Sequence, residues 1–351
     1  MLRPGCCLFA CLLLSSASCV RAADQPDAEV LAALRRCREL IHATQLADGA
    51  LAMNAQGERV RIVPYFANNA AIALLAAHEL DPQPDDVVRV RRWIDWYVAH
   101  IEPDGTIYDH GGFKTKVERT DKRDSTDSYA ATFLELIARH AQADPTAAGA
   151  LRPVAERALK AIELTCDPTD GLTWATPTYK VKYLMDNLEV AIALDESIPY
   201  FESADAPAAA KRARAMLAQN RKGLAEYWRA DLGYFDWAKG SSGKYHVRME
   251  KWYPDALVSL FAVAQVKSLP PVLWTTLQEL FKDAKDLTPG WWLLAARRAG
   301  SDHDVERYRR ETVQFAIALP EDGLINRVAT TLLALAGHHG PGVDLDVHAP
   351  K

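Results

Sequence analysis

Residues 151–194 read LRPVAERALKAIELTCDPTDGLTWATPTYKVKYLMDNLEVAIAL. The opening LRPVAERALKAIELT sets apolar residues three and four apart with charges between them, the mark of an amphipathic helix with one wet face. A turn follows at Asp170-Gly171, then a polar loop, and then MDNLEVAIAL, which has helical spacing but few charges. A helix with a charged face, a turn, a long loop and a helix poor in charge together make a hairpin. Its second member must be shielded on more sides than its first.

The same unit recurs along the chain. Glycine-centred turns stand at LADGALAM (46), EPDGTIYDH (102), DPTDGLTWA (167), ADLGYFDWA (230), LTPGWWLLA (287) and PEDGLINRV (320). Glycine there supplies the positive φ that ends a helix or closes a turn, and a preceding Asp can bond its own backbone. Charged-face helices include AEVLAALRRCRELIHATQ, VVRVRRWIDWYVAHI, LRPVAERALKAIELT, AKRARAMLAQNRKGLAEYW and VERYRRETVQFAIAL. Helices poorer in charge are YFANNAAIALLAAHEL, DSYAATFLELIARHA, MDNLEVAIALDES, YPDALVSLFAVAQV, GWWLLAARRAG and INRVATTLLALAG. Strand-like pieces are few and lie beside the glycine turns. We expect six outer and six inner helices in strict alternation, an all-α fold closed as an (α/α)6 toroid in one domain over residues 23–351.

This alternation, with the DG turns and the segments RDSTDSYAATF and KYLMDNLEV, resembles the six-hairpin glycosidase superfamily of bacterial carbohydrate enzymes. The likeness spans nearly all of the chain after its first residues, and it implies a glycosidase. It rests on a repeat pattern, and such toroids also host polysaccharide lyases, terpenoid cyclases and prenyltransferase subunits.

The N-terminal residues MLRPGCCLFACLLLSSASCVRAADQ carry Arg3, an apolar run from Cys6 to Leu14 and Val20-Arg21-Ala22 as a cleavage site, so a signal peptide is expected over residues 1–22. Export to the periplasm or medium follows, with a lipoprotein site at Cys19 the weaker alternative. No later stretch is long and apolar enough to span a membrane. Removing the leader takes four of the six cysteines and leaves Cys37 and Cys166, so stability must come from a core. With 49% hydrophobic residues the chain can build one. A net charge of -5 argues against nucleic acid as a partner. There is no Gly-x-Ser-x-Gly elbow, P-loop, HExxH or paired CxxC, so we expect neither a metal nor a cofactor.

In such a toroid, the loops leading from outer to inner helices open onto a common cleft. Three of them are long: 109–123, 175–185 and 236–254. Each ends in acids at the start of an inner helix: Asp124 and Asp127, then Asp186, then Glu250 and Asp255. A glycosidase needs one carboxyl group to protonate the leaving oxygen and a second to activate water or attack the sugar. Two acids on adjacent turns of one helix cannot flank a bond. The expected catalytic pair is therefore Asp127 with Asp186 or Asp255, supported by Asp124, Asn187 and Glu250. The alternative for Asp124 and Asp127 is plain capping, since acids are favoured at helix N-termini.

Aromatic rings cluster in the same segments, and flat rings stack on sugar faces. Of Tyr65, Trp174, Tyr179, Tyr183, Trp237, Tyr245, Trp252, Tyr253, Trp291 and Trp292, about half are expected at the cleft, with Trp237 and Trp252 foremost. Asn69 can bind hydroxyls. Loop 110–123 carries five cations against two acids; with Lys180, Lys182, Lys239, Lys244, Arg248 and Lys251 it predicts a basic rim suited to an anionic glycan. The alternatives are a lyase using His246 or Tyr245 as base with Asn69 and Arg248 on a uronate, and a noncatalytic glycan-binding or assembly protein.

Overall fold

The computed structural model describes residues 27–240, 242–281, 289–337 and 340–347. The expected signal peptide lies outside the described residues. Twelve α-helices run through them: α1 (Ala28–Thr44), α2 (Pro64–Leu80), α3 (Pro84–His100), α4 (Asp127–Ala143), α5 (Ala148–Thr165), α6 (Leu184–Ser203), α7 (Pro207–Ala225), α8 (Leu257–Gln265), α9 (Pro271–Phe281), α10 (Pro289–Ala299), α11 (Asp302–Ala318) and α12 (Ile325–Leu335).

Odd and even helices differ as the sequence pattern demands. The odd helix α3 buries one stripe, Val90, Trp93, Ile94 and Tyr97, and leaves its arginines outside. That is the three-and-four spacing of a helix resting on a core by one face. The even helix α2 buries eleven of its seventeen residues, six of them alanines. Small side chains let its neighbours approach on several sides. Each even helix packs against the next, α2 to α4, α6, α8, α10 and α12, and α12 returns to α2, closing the inner ring. The odd helices surround it, so the fold is the expected (α/α)6 toroid.

The sixth outer helix is α9, PVLWTTLQELF, which is absent from the charged-face stretches quoted above. Glu279 is its one charged residue, so no charged face marks it; Leu273, Leu277 and Phe281 fix it to the core. Glycine serves as read at four of the six turns, where Gly49, Gly105, Gly171 and Gly233 have positive φ. Gly290 has another task. It begins α10 so close to α12 that an added Cβ would stand 2.8 Å from the Thr330 carbonyl oxygen.

Short strands decorate one end of the ring. β1 (Arg59–Ile62), β2 (His110–Phe113) and β3 (Lys116–Arg119) form one antiparallel sheet. β4 (Val181–Tyr183), β5 (Trp228–Arg229), β6 (Tyr234–Phe235), β7 (Ala238–Gly240) and β8 (Gly243–Tyr245) follow, with β4-β7-β8 a second sheet and β5-β6 a hairpin. β1 leads directly into α2 and β4 into α6, so the sheets fix the loops at the N-terminal mouth of the inner ring. Among the described residues no helix is long and apolar enough to cross a membrane.

Candidate active site

A cavity of about 1300 Å³ runs into the inner ring from this mouth. Its polar wall comes from α2, α4 and α6. Asp186 sits in the first turn of α6, where β4 delivers it, and Glu189 stands one turn deeper on the same face. The Tyr65 hydroxyl on α2 donates to Glu189 Oε1, while Glu189 Oε2 is buried with no partner among the described residues. Asn69, one turn beyond Tyr65, lines the same wall. Asp124, in the loop before α4, is exposed at the mouth.

Electrostatics single out Asp186. Burial, then the charges of Asp127, Glu189 and Asp124, push its pKa well above the usual carboxylate range. No cation pairs with it among the described residues. Glu189 is likewise raised well above its ordinary value, by burial and by Glu135 and Asp127, against the Tyr65 hydrogen bond. After burial, the charges of Asp124 and Asp186 both push the Tyr253 pKa up. Two carboxylates from neighbouring hairpins thus act on one point of the mouth.

Aromatic rings frame that point. Trp237 stacks on Tyr183 at 5.7 Å and meets Tyr245 tilted at 5.6 Å. Tyr65, Tyr179, Tyr183, Trp237, Tyr253 and Trp291 line the cavity, while Tyr245 and Trp292 do not. Trp252 also lies away from it, partly buried against Trp292. Trp174 is drawn the other way, with the Lys182 ammonium 4.1 Å from its ring centre.

Several expected site residues have structural partners instead. Asp127 is fully buried and does not line the cavity; its Oδ1 accepts from the Ser128 amide at 2.8 Å and its Oδ2 from the Thr173 hydroxyl at 2.7 Å. Burial raises its pKa to about 6 against these hydrogen bonds. Asn187 is consumed by the same strut, its Oδ1 accepting from the Thr173 amide at 2.7 Å and its Nδ2 donating to the Tyr183 carbonyl at 2.9 Å. Asp255 Oδ2 accepts from the amides of Glu250 and Lys251 at 3.1 and 3.2 Å, so it ties the loop before α8, and neither Asp255 nor Glu250 lines the cavity. His246 Nδ1 stands 2.6 Å from Asp236 Oδ1 and 3.0 Å from Arg229 Nη1, away from the cavity, where it donates to the first or accepts from the second. Asp124 is no cap either: Thr126 holds that position, with no side-chain capping bond.

The basic rim contracts in the same way. Lys182 is buried with Asp167 and Asp170, both 2.7 Å away, and Lys239 joins Asp170 at 2.8 Å. Lys116 pairs with Glu118, and Arg119 with Glu102. Lys122 and Arg123 of the first loop do line the mouth, beside Arg61, which pairs with Asp109 at 3.0 Å. Sequence reasoning missed Glu189, Glu135 and Arg139 in the cavity wall. The last two form an ion pair at 2.8 Å, and Arg139 continues to Glu196 at 3.0 Å. No group of three His, Cys, Asp or Glu side chains able to hold a metal ion occurs among the described residues.

No family model matches this sequence, and no curated protein matches it. Solved structures do. A rhamnosidase from Klebsiella oxytoca with rhamnose bound is similar over 88% of this chain and 64% of its own, with a TM-score of 0.57 and 14% identity. The chain therefore spans less than two thirds of that enzyme. A GH63 mannosylglycerate hydrolase from Thermus thermophilus in complex with glucose is similar over 86% of this chain and 99% of its own (TM-score 0.59, 11% identity). A D-mannose isomerase is similar over 89% and 97% (TM-score 0.59, 10% identity). At such identities the likeness is one of fold: the chain has the six-hairpin toroid found in these glycosidases, a toroid that the isomerase has as well.

Proposed function

We propose that the protein is a glycoside hydrolase in which Asp186 is the proton donor and Asp124 its partner carboxylate. The observation that carries this reading is Asp186 itself, a cavity-lining carboxyl group with no cation beside it among the described residues, whose pKa burial and three acidic neighbours push well above the usual carboxylate range. A general acid must keep its proton until the leaving oxygen needs it. Asp124 comes from a different hairpin and is exposed to solvent, which suits a group that must stay ionised to activate water or attack the sugar. Trp237, Tyr183 and Tyr253 offer ring faces on which a sugar can stack.

Asp127 and Asp255 then act as positioning residues, the first bracing α4 against the 173 loop and the second shaping the loop before α8. The lyase alternative loses both of its bases, because neither His246 nor Tyr245 lines the cavity. With the leader expected at residues 1–22, the reaction is placed outside the cytoplasm. The test is mass spectrometry of products after incubating the mature chain with neutral and acidic glycans. Fragments that have gained one water are expected, and Asp186→Asn should slow their release by about 10²- to 10⁴-fold while melting as a folded protein. Unsaturated fragments, or full activity in Asp186→Asn, would overturn the reading.

A further inference from the structure

Below the two carboxylates the cavity changes character. Asp186 and Ile192 are six residues apart on α6, so the wall descends about 9 Å along the helix axis. Below the mouth five of the six inner helices present hydrocarbon to the cavity, Ile72 from α2, Ile192 from α6, Phe261 from α8, Leu294 from α10 and Leu333 from α12, while α4 presents the Glu135–Arg139 ion pair. Protein interiors leave few voids larger than a water molecule, and inner helices normally fill their ring with such side chains. Here they surround open space.

The boundary between mouth and chamber carries an unmet polar demand. Glu189 is 6% exposed, lines the cavity and has Oε2 without a partner among the described residues. Across the ring, Asn326 Oδ1 is in the same condition. Leaving such atoms unpaired is costly, so they point to a ligand that brings oxygen or a hydroxyl to that level. A hydroxyl satisfies Glu189 Oε2 whichever of the two carries the proton. What lies deeper meets hydrocarbon on five helices, and on the sixth the Glu135–Arg139 pair, whose charges answer each other.

We infer that the chamber below Asp186 is a subsite for a hydrocarbon substituent, so that the substrate is an amphiphilic glycoside whose alkyl or acyl chain enters the ring while its sugar stays at the carboxylates. The inference rests on the hydrolase reading for the sugar end alone. The hydrocarbon end can be probed without it. Straight-chain 1-alkanols carry one hydroxyl and a chain of chosen length, and their binding to the full mature protein is measurable by isothermal titration calorimetry. From 1-butanol to 1-hexanol to 1-octanol, affinity should rise about fourfold per methylene, or about 15-fold per step. Ala264→Phe, on the cavity wall of α8, should weaken 1-octanol binding more than about tenfold while thermal melting shows a folded chain. Leu333→Phe is the second filling variant should the first fail to fold. Equal affinity along the series, absence of 1-octanol binding, or 1-octanol binding unchanged in a folded filling variant would overturn the inference. Glycan hydrolysis without alkanol binding would sink the chamber and spare the hydrolase; alkanol binding without hydrolysis of any glycan would do the reverse.

Discussion

Replacing Asp127 by asparagine should stabilise the protein at neutral pH and spare its activity, the opposite of what a catalytic role demands. The carboxyl group is fully buried, and burial raises its pKa to about 6. In the unfolded chain an aspartate titrates near 4. A group whose pKa is raised by folding contributes its stability below the unfolded value and loses it as pH rises through the folded one. As pH rises from about 4 to above about 6, ionising Asp127 therefore comes to cost about 3 kcal/mol. Asparagine does not titrate. It also fits the hydrogen bonds: Oδ1 keeps the Ser128 amide, and Nδ2 can donate to Thr173 Oγ1. The Thr173 hydroxyl proton, freed from Asp127 Oδ2, then goes to Asn187 Oδ1, which already stands 3.2 Å away.

Urea denaturation of wild type and Asp127→Asn at a series of pH values tests this, because titrations uncoupled from Asp127 cancel in the difference, and the relief of Asp186 and Glu189 adds in the same direction. The difference should be near zero at about pH 4 and reach about 3 kcal/mol or more in favour of the variant by about pH 8. Activity adds a second readout. The Asp127 charge is, after burial, the largest cause raising Asp186. Removing it should move the alkaline limb of the pH profile to lower pH, with turnover at the optimum within about tenfold of wild type. A stability difference that does not vary with pH would refute the burial argument. A loss of turnover beyond about 10²-fold in a folded variant would return Asp127 to the reaction itself.

Lys182→Met should cost about 1–3 kcal/mol at neutral pH, because it takes the buried cation from two partly buried carboxylates. Asp170, 8% exposed, would keep Lys239 as its remaining partner. Burial works to raise Asp167, yet the hydrogen bonds from Lys182 and Thr169 hold it at about 2. That stabilisation is present above about pH 4 and fades as pH falls through about 2, so the cost of the variant should shrink in acid, as urea titrations would show; a cost that persists there would refute the ion-pair account. Gly105→Ala should lower stability by more than about 1–2 kcal/mol, since φ is +89° and the new Cβ would fall 2.2 Å from the Arg157 carbonyl oxygen. A thermal melt unchanged from wild type would show that the turn yields.

The ring was legible because burial leaves its mark on composition. A helix touched on several sides, such as α2, must replace charge with alanine and leucine, while a helix resting by one face, such as α3, keeps its arginines; the contrast repeats along the chain. α9 was hidden because an outer helix with one charged residue reads like an inner one. At the site, local pattern told which carboxylates start inner helices but not where they turn. Asp255 and Asp186 occupy equivalent positions, yet one bonds to amides four and five residues back and the other faces the cavity. Asp127 is claimed by Thr173, 46 residues on, a pairing no local spacing announces. Glu189 did leave a signal: in DNLEVAIAL it lies three residues after Asp186, on the same face of a helix otherwise bare of charge there. Buried there, it needs a hydrogen-bond partner inside the ring, and the Tyr65 hydroxyl supplies one to Oε1. On α6 the second acid, one turn below the first, lies on the side that lines the cavity.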